Sequence, residues 1–121
     1  MKRDMDLVRN ILIATEDADK PINSDFATFD GYDCDQIIYH IQLLAAHGLI
    51  DITEAGDMAS HDRVYINGLT WDGADYLDAI RDNRVWERTK RIVKDTVGST
   101  TMSVIKQAAQ DVALSMLKAI I

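Results

Sequence analysis

The sequence predicts a mainly α chain carrying one small antiparallel β-hairpin. Three observations lead there. Apolar residues recur at helical spacing in several separate stretches; a helix that stops at Gly48 is followed by Leu49-Ile50-Asp51-Ile52 and, across a polar loop, by a second alternating run; and the helix opener Leu69-Thr70-Trp71-Asp72-Gly73 comes directly after. Helix, two-stranded wing, helix is the order in which a winged-helix domain reads. Residues 1–82 are expected to form that winged-helix-like domain and residues 83–121 a C-terminal helical extension that pairs two chains.

The first helix is expected over residues 4–17. Met5, Val8, Ile11, Leu12 and Thr15 share one face, and Asp4 and Asp6 sit where acids complement the macrodipole. Pro21 closes it, since the residue before a proline is pushed out of helical geometry. Residues 22–29 read as a loop with a short strand around 26–29, ended by the turn Asp30-Gly31. The second helix covers residues 33–47, with Asp33 as N-cap and Cys34, Ile37, Ile38, Ile41, Leu44 and Ala45 along its inner face. Gly48 supplies the left-handed stop.

Ile50 and Ile52 alternate in one strand of the wing, Val64 and Ile66 in the other, with residues 54–62 between them. Asn67-Gly68 reads as a turn, and Thr70 as the cap of a helix carrying Ala74, Leu77 and Ile80 inward, with Trp71 packed. A further helix is expected over residues 85–96, with Trp86, Thr89 or Lys90, Val93 and Val97 along its stripe. Gly98-Ser99-Thr100-Thr101 breaks it before a last helix over 102–119. The inner stripe of that helix includes Ile105, Ala108, Ala109, Val112, Met116, Ala119 and Ile120, while Leu114, Leu117 and Ile121 fall outside it. So much apolar surface implies a second neighbour, and for a terminal helix a second copy is a common one. The dimer interface is therefore assigned to Ile105, Ala109, Val112, Leu114, Met116, Leu117 and Ile120.

Charge divides the chain. The net charge is −7, with 5 Lys/Arg against 16 Asp/Glu in residues 1–80 and 8 against 4 in residues 81–121. The cations gather in Arg81, Arg84, Arg88, Lys90, Arg91 and Lys94. Cys34 is the only cysteine, so no intramolecular disulfide can form, and the composition suits a reducing cytoplasm. The first residues mix acids with bases and do not read as a signal peptide, and no stretch approaches the ~20 apolar residues that span a bilayer.

The second helix presents the first candidate surface. Gln36, Tyr39, His40, Leu43 and His47 are expected to lie opposite its apolar face as one outward patch for a partner. DNA reading by this helix is disfavoured. Residues 33–47 contain no Lys or Arg, and the wing sets Glu54, Asp57 and Asp62 against Arg63 alone, whereas a typical binder neutralises on the order of 6–10 phosphates. A DNA grip would have to come from Arg84, Arg88, Arg91 and Lys94. No metal is expected: His40 and His47 are about 10 Å apart along the helix at 1.5 Å per residue, too far to share an ion, and His61 lies in a loop with no legible ligand set. Neither a phosphate loop nor a nucleophile elbow occurs, so the chain is expected to be non-enzymatic and to need no cofactor.

Three stretches carry a family likeness: Met1-Lys2-Arg3-Asp4-Met5-Asp6-Leu7-Val8-Arg9; Tyr39-His40-Ile41-Gln42-Leu43-Leu44 with Gly48-Leu49-Ile50; and Leu69-Thr70-Trp71-Asp72-Gly73 running on to Leu77-Asp78-Ala79-Ile80-Arg81-Asp82 and Trp86. With them the chain resembles the small bacterial and prophage-encoded proteins of domain of unknown function family 2513, and more loosely the YjcQ-like winged-helix proteins. The resemblance implies a winged-helix core, a cytoplasmic location and a mobile-element origin; it brings no catalytic residues. The expected function is therefore a regulatory or protein-interaction module that acts as a homodimer. The alternative is a dimeric DNA-binding regulator.

Overall fold

The computed structural model describes residues 1–56, 63–96 and 101–120. Asp57, His61, Asp62, Val97, the break at residues 98–100 and Ile121 lie outside them. The fold is mainly α with a small antiparallel sheet, as the sequence predicts. In chain order the elements are α1 (Met5–Asp17), β1 (Ile22–Asn23), α2 (Cys34–Ala46), β2 (Ile50–Ala55), β3 (Arg63–Leu69), α3 (Trp71–Ile80), α4 (Asn83–Thr96) and α5 (Met102–Ile120). Two compact units result, Met1–Ala74 and Asp75–Ile121, divided inside α3.

In the first unit, α1 packs on α2 and on β3, and α2 packs on β2. Leu7, Ile11 and Leu12 of α1, Ile41 and Leu44 of α2 and Val64 of β3 are fully buried, each contributing about 1.5–3 kcal/mol by leaving water. The caps work as their residue types dictate. Asp4 Oδ1 accepts from the amides of Asp6 and Leu7 at 2.9 and 3.2 Å, and Asp33 with Gln36 closes a capping box, Gln36 N–H to Asp33 Oδ1 at 2.8 Å and Asp33 N–H to Gln36 Oε1 at 2.9 Å. At the other end of α2, Gly48 turns left-handed at φ +83°; its amide bonds the Ala45 carbonyl and that of Leu49 the Leu44 carbonyl, a Schellman closure.

The sheet has the order β1-β3-β2, antiparallel throughout. Its first strand corrects the expectation for residues 26–29. Ile22 and Asn23 pair with Ile66 and Tyr65, and the buried Ser24 extends the pairing by donating its amide to the Val64 carbonyl and accepting the Val64 amide on its hydroxyl. Phe26, expected in the strand, stands 81% exposed. Asn67-Gly68 is no turn either. Both stay inside β3, where Asp51 pairs with Gly68 and Ile52 with Ile66, so Asn67 is the extra residue of a bulge. Its side-chain amide donates to Asp51 Oδ2 and Thr53 Oγ1, both at 3.0 Å, which supplies on the strand surface the bonding a turn would otherwise give.

Leu49 and Thr70 lace the ends of the hairpin together. The Thr70 amide donates to the Leu49 carbonyl, the Thr70 hydroxyl donates to the Gly48 carbonyl, and that hydroxyl accepts the Gly73 amide. A Cβ at Gly73 would run into the Leu49 carbonyl. Gly73, not Trp71, therefore packs here: two residues earlier is about 200° around the helix, so Trp71 faces away and is 84% exposed. Cys34, expected inside, is likewise exposed, because the first turn of α2 runs past the edge of the core.

In the second unit α4 packs on α5. Val85, Trp86 and Thr89 are buried on one helix, Met102, Ile105, Ala109 and Val112 on the other. Helix α4 starts two residues before residue 85, because Asp82 caps it by accepting the amides of Arg84 and Val85 at 2.8 and 3.1 Å.

Candidate functional site

The candidate surfaces follow from which helix faces the packing leaves open. On α2 the buried residues are Ile37, His40, Ile41 and Leu44. Counting 100° per residue from that row, the opposite side carries Asp35, Tyr39, Gln42 and Ala46, with Ile38 and Ala45 on one flank. All six are exposed or half-buried. Gln36, His40, Leu43 and His47 form the other flank.

His40 corrects the expected patch. The residue is 1% exposed, and each ring nitrogen has a partner. The Asp4 amide donates to Nε2 at 2.8 Å, so the proton sits on Nδ1, which donates to the Gln36 carbonyl at 2.7 Å. Its flank is where the start of α1 is bonded, and the neutral ring pins that start to α2. Tyr39 meets the ring edge-on, centroids 5.5 Å apart and planes at 82°. Gln36 is committed as well, since its side chain completes the capping box. Of the five expected residues Leu43 and Tyr39 are half-buried, and only His47 is fully open. The outward residues the sequence reading missed are Asp35 and Gln42. Drawing the inner row from Ile37, Ile41 and Leu44 alone would have found them; treating His40 as polar, and so as outward, rotated the face by about a quarter turn.

A second polar network adjoins the first. Asp4 Oδ2 accepts the Tyr32 hydroxyl at 2.8 Å. Burial, then the hydrogen bond to Asp4 and the charges of Asp4 and Asp6, push the Tyr32 phenol up to about 12. One residue thus ties three segments: Asp4 caps α1, holds Tyr32 and offers its amide to His40.

The cationic face lies on α4. Arg84, Arg88, Arg91 and Lys94 are all exposed at spacings of four, three and three residues, about 15 Å end to end along the helix. Arg84 pairs with Asp82 at 3.4 Å, and the Asp82 carboxyl is held below its ordinary value, mainly by the Val85 amide and then by the Arg84 guanidinium. Arg81 pairs with Asp78 at 2.9 Å, and Lys90 pairs with Glu87 at 3.2 Å while lying 5.8 Å over the Trp86 ring. Arg88, Arg91 and Lys94 have no ion-pair partner among the described residues.

On α5 the expected dimer residues divide. Ile105, Ala109 and Val112 are buried on α4 within one chain and cannot also meet a second copy, a correction the packing of α4 on α5 imposes. Met116 is half-buried, whereas Leu114, Leu117 and Ile120 are 50%, 55% and 84% exposed. Among the described residues no group of three or more His, Cys, Asp or Glu side chains is placed to hold a metal ion. No described helix is long and apolar enough to cross a membrane.

Comparison with known proteins gives two matches. The family model described as "Hypothetical protein (DUF2513)" matches residues 2–100. An "Uncharacterized protein" of Haemophilus influenzae Rd is 36% identical over 120 residues, spanning 97% of this chain and 99% of that one. Neither description names an activity. No solved structure matches.

Proposed function

The chain belongs to the DUF2513 family, and on that footing we propose that it is a non-enzymatic interaction module of winged-helix type, regulatory or adaptor in role, working as a pair of copies joined through α5. The winged-helix reading draws on the sheet order β1-β3-β2 and on the packing of α1 and α2 beside it. The observation that carries the choice of partner is the open side of α2. Asp35, Tyr39, Gln42 and Ala46, flanked by Ile38, offer an apolar and amide-bearing strip with an acid at its head and no Lys or Arg. Such a strip suits a protein surface. A nucleic-acid backbone needs cations that this face lacks.

A second reading keeps a footing on Arg88, Arg91 and Lys94, the cations of α4 without an ion-pair partner among the described residues. Anisotropy of a labelled DNA duplex titrated at low ionic strength separates the two. The protein-interaction reading expects no saturable binding. Binding that weakens steeply with added salt, and is lost when Arg88, Arg91 and Lys94 are replaced by Ala, overturns it in favour of a DNA-binding regulator.

A further inference from the structure

Helix α5 carries two seams. Met102, Ile105, Ala109 and Val112 step by three, four and three residues and are buried on α4. Gln110, Leu114 and Leu117 step by four and three, the same spacing, along a side that is open. Spacing of this kind is what lets two helices interlock along their length. A helix with one seam filled and the other half-apolar and bare is built for a second neighbour.

We propose that the open seam is closed by the same seam of a second copy, the two α5 helices running antiparallel about a two-fold axis beside Leu114 and Leu117. This rests on the reading that α5 joins two copies, and it supplies the geometry. Charge argues for a second copy as the occupant, and Lys118, exposed where Lys106 is half-buried, favours the antiparallel direction. Asp111 and Lys118 lie on one edge of the seam, seven residues or about 10.5 Å apart, on either side of Leu114. When the second helix runs back along the first, Asp111 of each copy comes beside Lys118 of the other. Two reciprocal ion pairs then bracket a centre in which Leu114 of each copy meets Leu117 of the other. Within one chain Lys118 is exposed and without a partner among the described residues, and Asp111 holds the Gln107 side-chain amide at 3.0 Å on one oxygen, leaving the second for an incoming ammonium. Room is available: a groove of about 530 Å³ runs along this side, walled by Asp75 and Asp78 of α3 and by Lys106, Gln110, Leu114 and Leu117 of α5.

Two measurements on the full chain test the arrangement. Light scattering across a concentration series is expected to give a dimer for the native chain. Asp111→Lys alone and Lys118→Asp alone should each weaken it at least tenfold with helical circular dichroism unchanged; the double variant should restore it, and mixing the two single variants should yield a heterodimer. In a Cys34→Ser background, a spin label on Val104→Cys should report a separation of about 35 Å between copies, from 23 residues of offset at 1.5 Å each. A parallel pair would instead bring Asp111 beside the second copy's Lys106 and the labels to about 10 Å. A native chain that stays monomeric at high concentration overturns both the pairing through α5 and this geometry. A dimer that ignores the charge reversals at 111 and 118, or that responds to Lys106→Glu in place of Lys118→Asp, overturns the antiparallel geometry alone.

Discussion

Replacing His40 by Ala is expected to cost about 4 kcal/mol, and to do so through folding. The side chain is almost wholly enclosed and bonded at both nitrogens. Truncation removes a packed ring, which by analogy with large-to-small core changes costs about 2 kcal/mol at the low end. It also leaves the part-buried Asp4 amide without an acceptor, a further ~1–3 kcal/mol. With an m value of about 2 kcal/mol/M the urea midpoint should fall by about 2 M, a large share of the ~5–15 kcal/mol that holds a typical domain folded. His40→Gln can still offer an acceptor to Asp4 and should recover about half the loss. Hydrogen exchange locates the damage. The Asp6 and Leu7 amides, bonded to Asp4 Oδ1, should exchange faster in the Ala variant because the residue that caps them is no longer pinned. A variant that unfolds within about 1 kcal/mol of the native chain, with those amides equally protected, would refute the argument and return His40 to the list of surface contacts.

Three further outcomes are expected. Tyr32 should ionise late: its phenol is raised in the fold to about 12 against an ordinary value of 10.0, so its contribution to stability is complete below pH 10 and is lost as pH rises from there toward 12. Tyrosinate absorbance should show a late ionisation in the native chain whose amplitude falls in Tyr32→Phe, and an unchanged titration would contradict the raised phenol. Gly73→Ala should destabilise more than Gly48→Ala in thermal melts, because the first forces the start of α3 off the Leu49 carbonyl whereas the second meets open space and pays about 1 kcal/mol for its left-handed φ; equal melting temperatures would contradict the close approach. Asp82→Ala should fray the first turn of α4 and flatten the acid limb of unfolding. A carboxyl depressed in the fold stabilises above its ordinary value and loses that contribution as pH falls through the depressed one, so only the native chain should show the extra acid sensitivity.

Local chemistry was legible and the long-range fit was not. Asp33 with Gln36 three residues on, and Gly48 after an apolar periodic run, announce a helix's two ends by themselves, because caps are satisfied within a few residues. The two alternating runs that form β2 and β3 were equally plain. What could not be read was which polar residue would be drawn inside. His40 looks like surface until the Asp4 amide arrives from 36 residues away. Ile22 and Asn23 become a strand only because β3 offers an edge, and Asn67-Gly68, a turn signal in isolation, is held in the strand by Asp51 and Thr53 across the ladder. The dimer assignment failed for Ile105, Ala109 and Val112 for a related reason: one helix has two apolar faces, and periodicity gives their spacing without saying which one a helix of the same chain will claim.

The bonds that Thr70 makes at the foot of the β2–β3 hairpin fix where its two strands meet. Because the chain enters and leaves the ribbon through a locked junction of Gly48, Leu49, Thr70 and Gly73, the strands arrive in register whatever length of peptide joins them beyond Ala55. Doubling such a connection costs only about 0.6 kcal/mol in closure entropy. A change at this junction, more than one farther along the strands, is therefore what would loosen the ribbon.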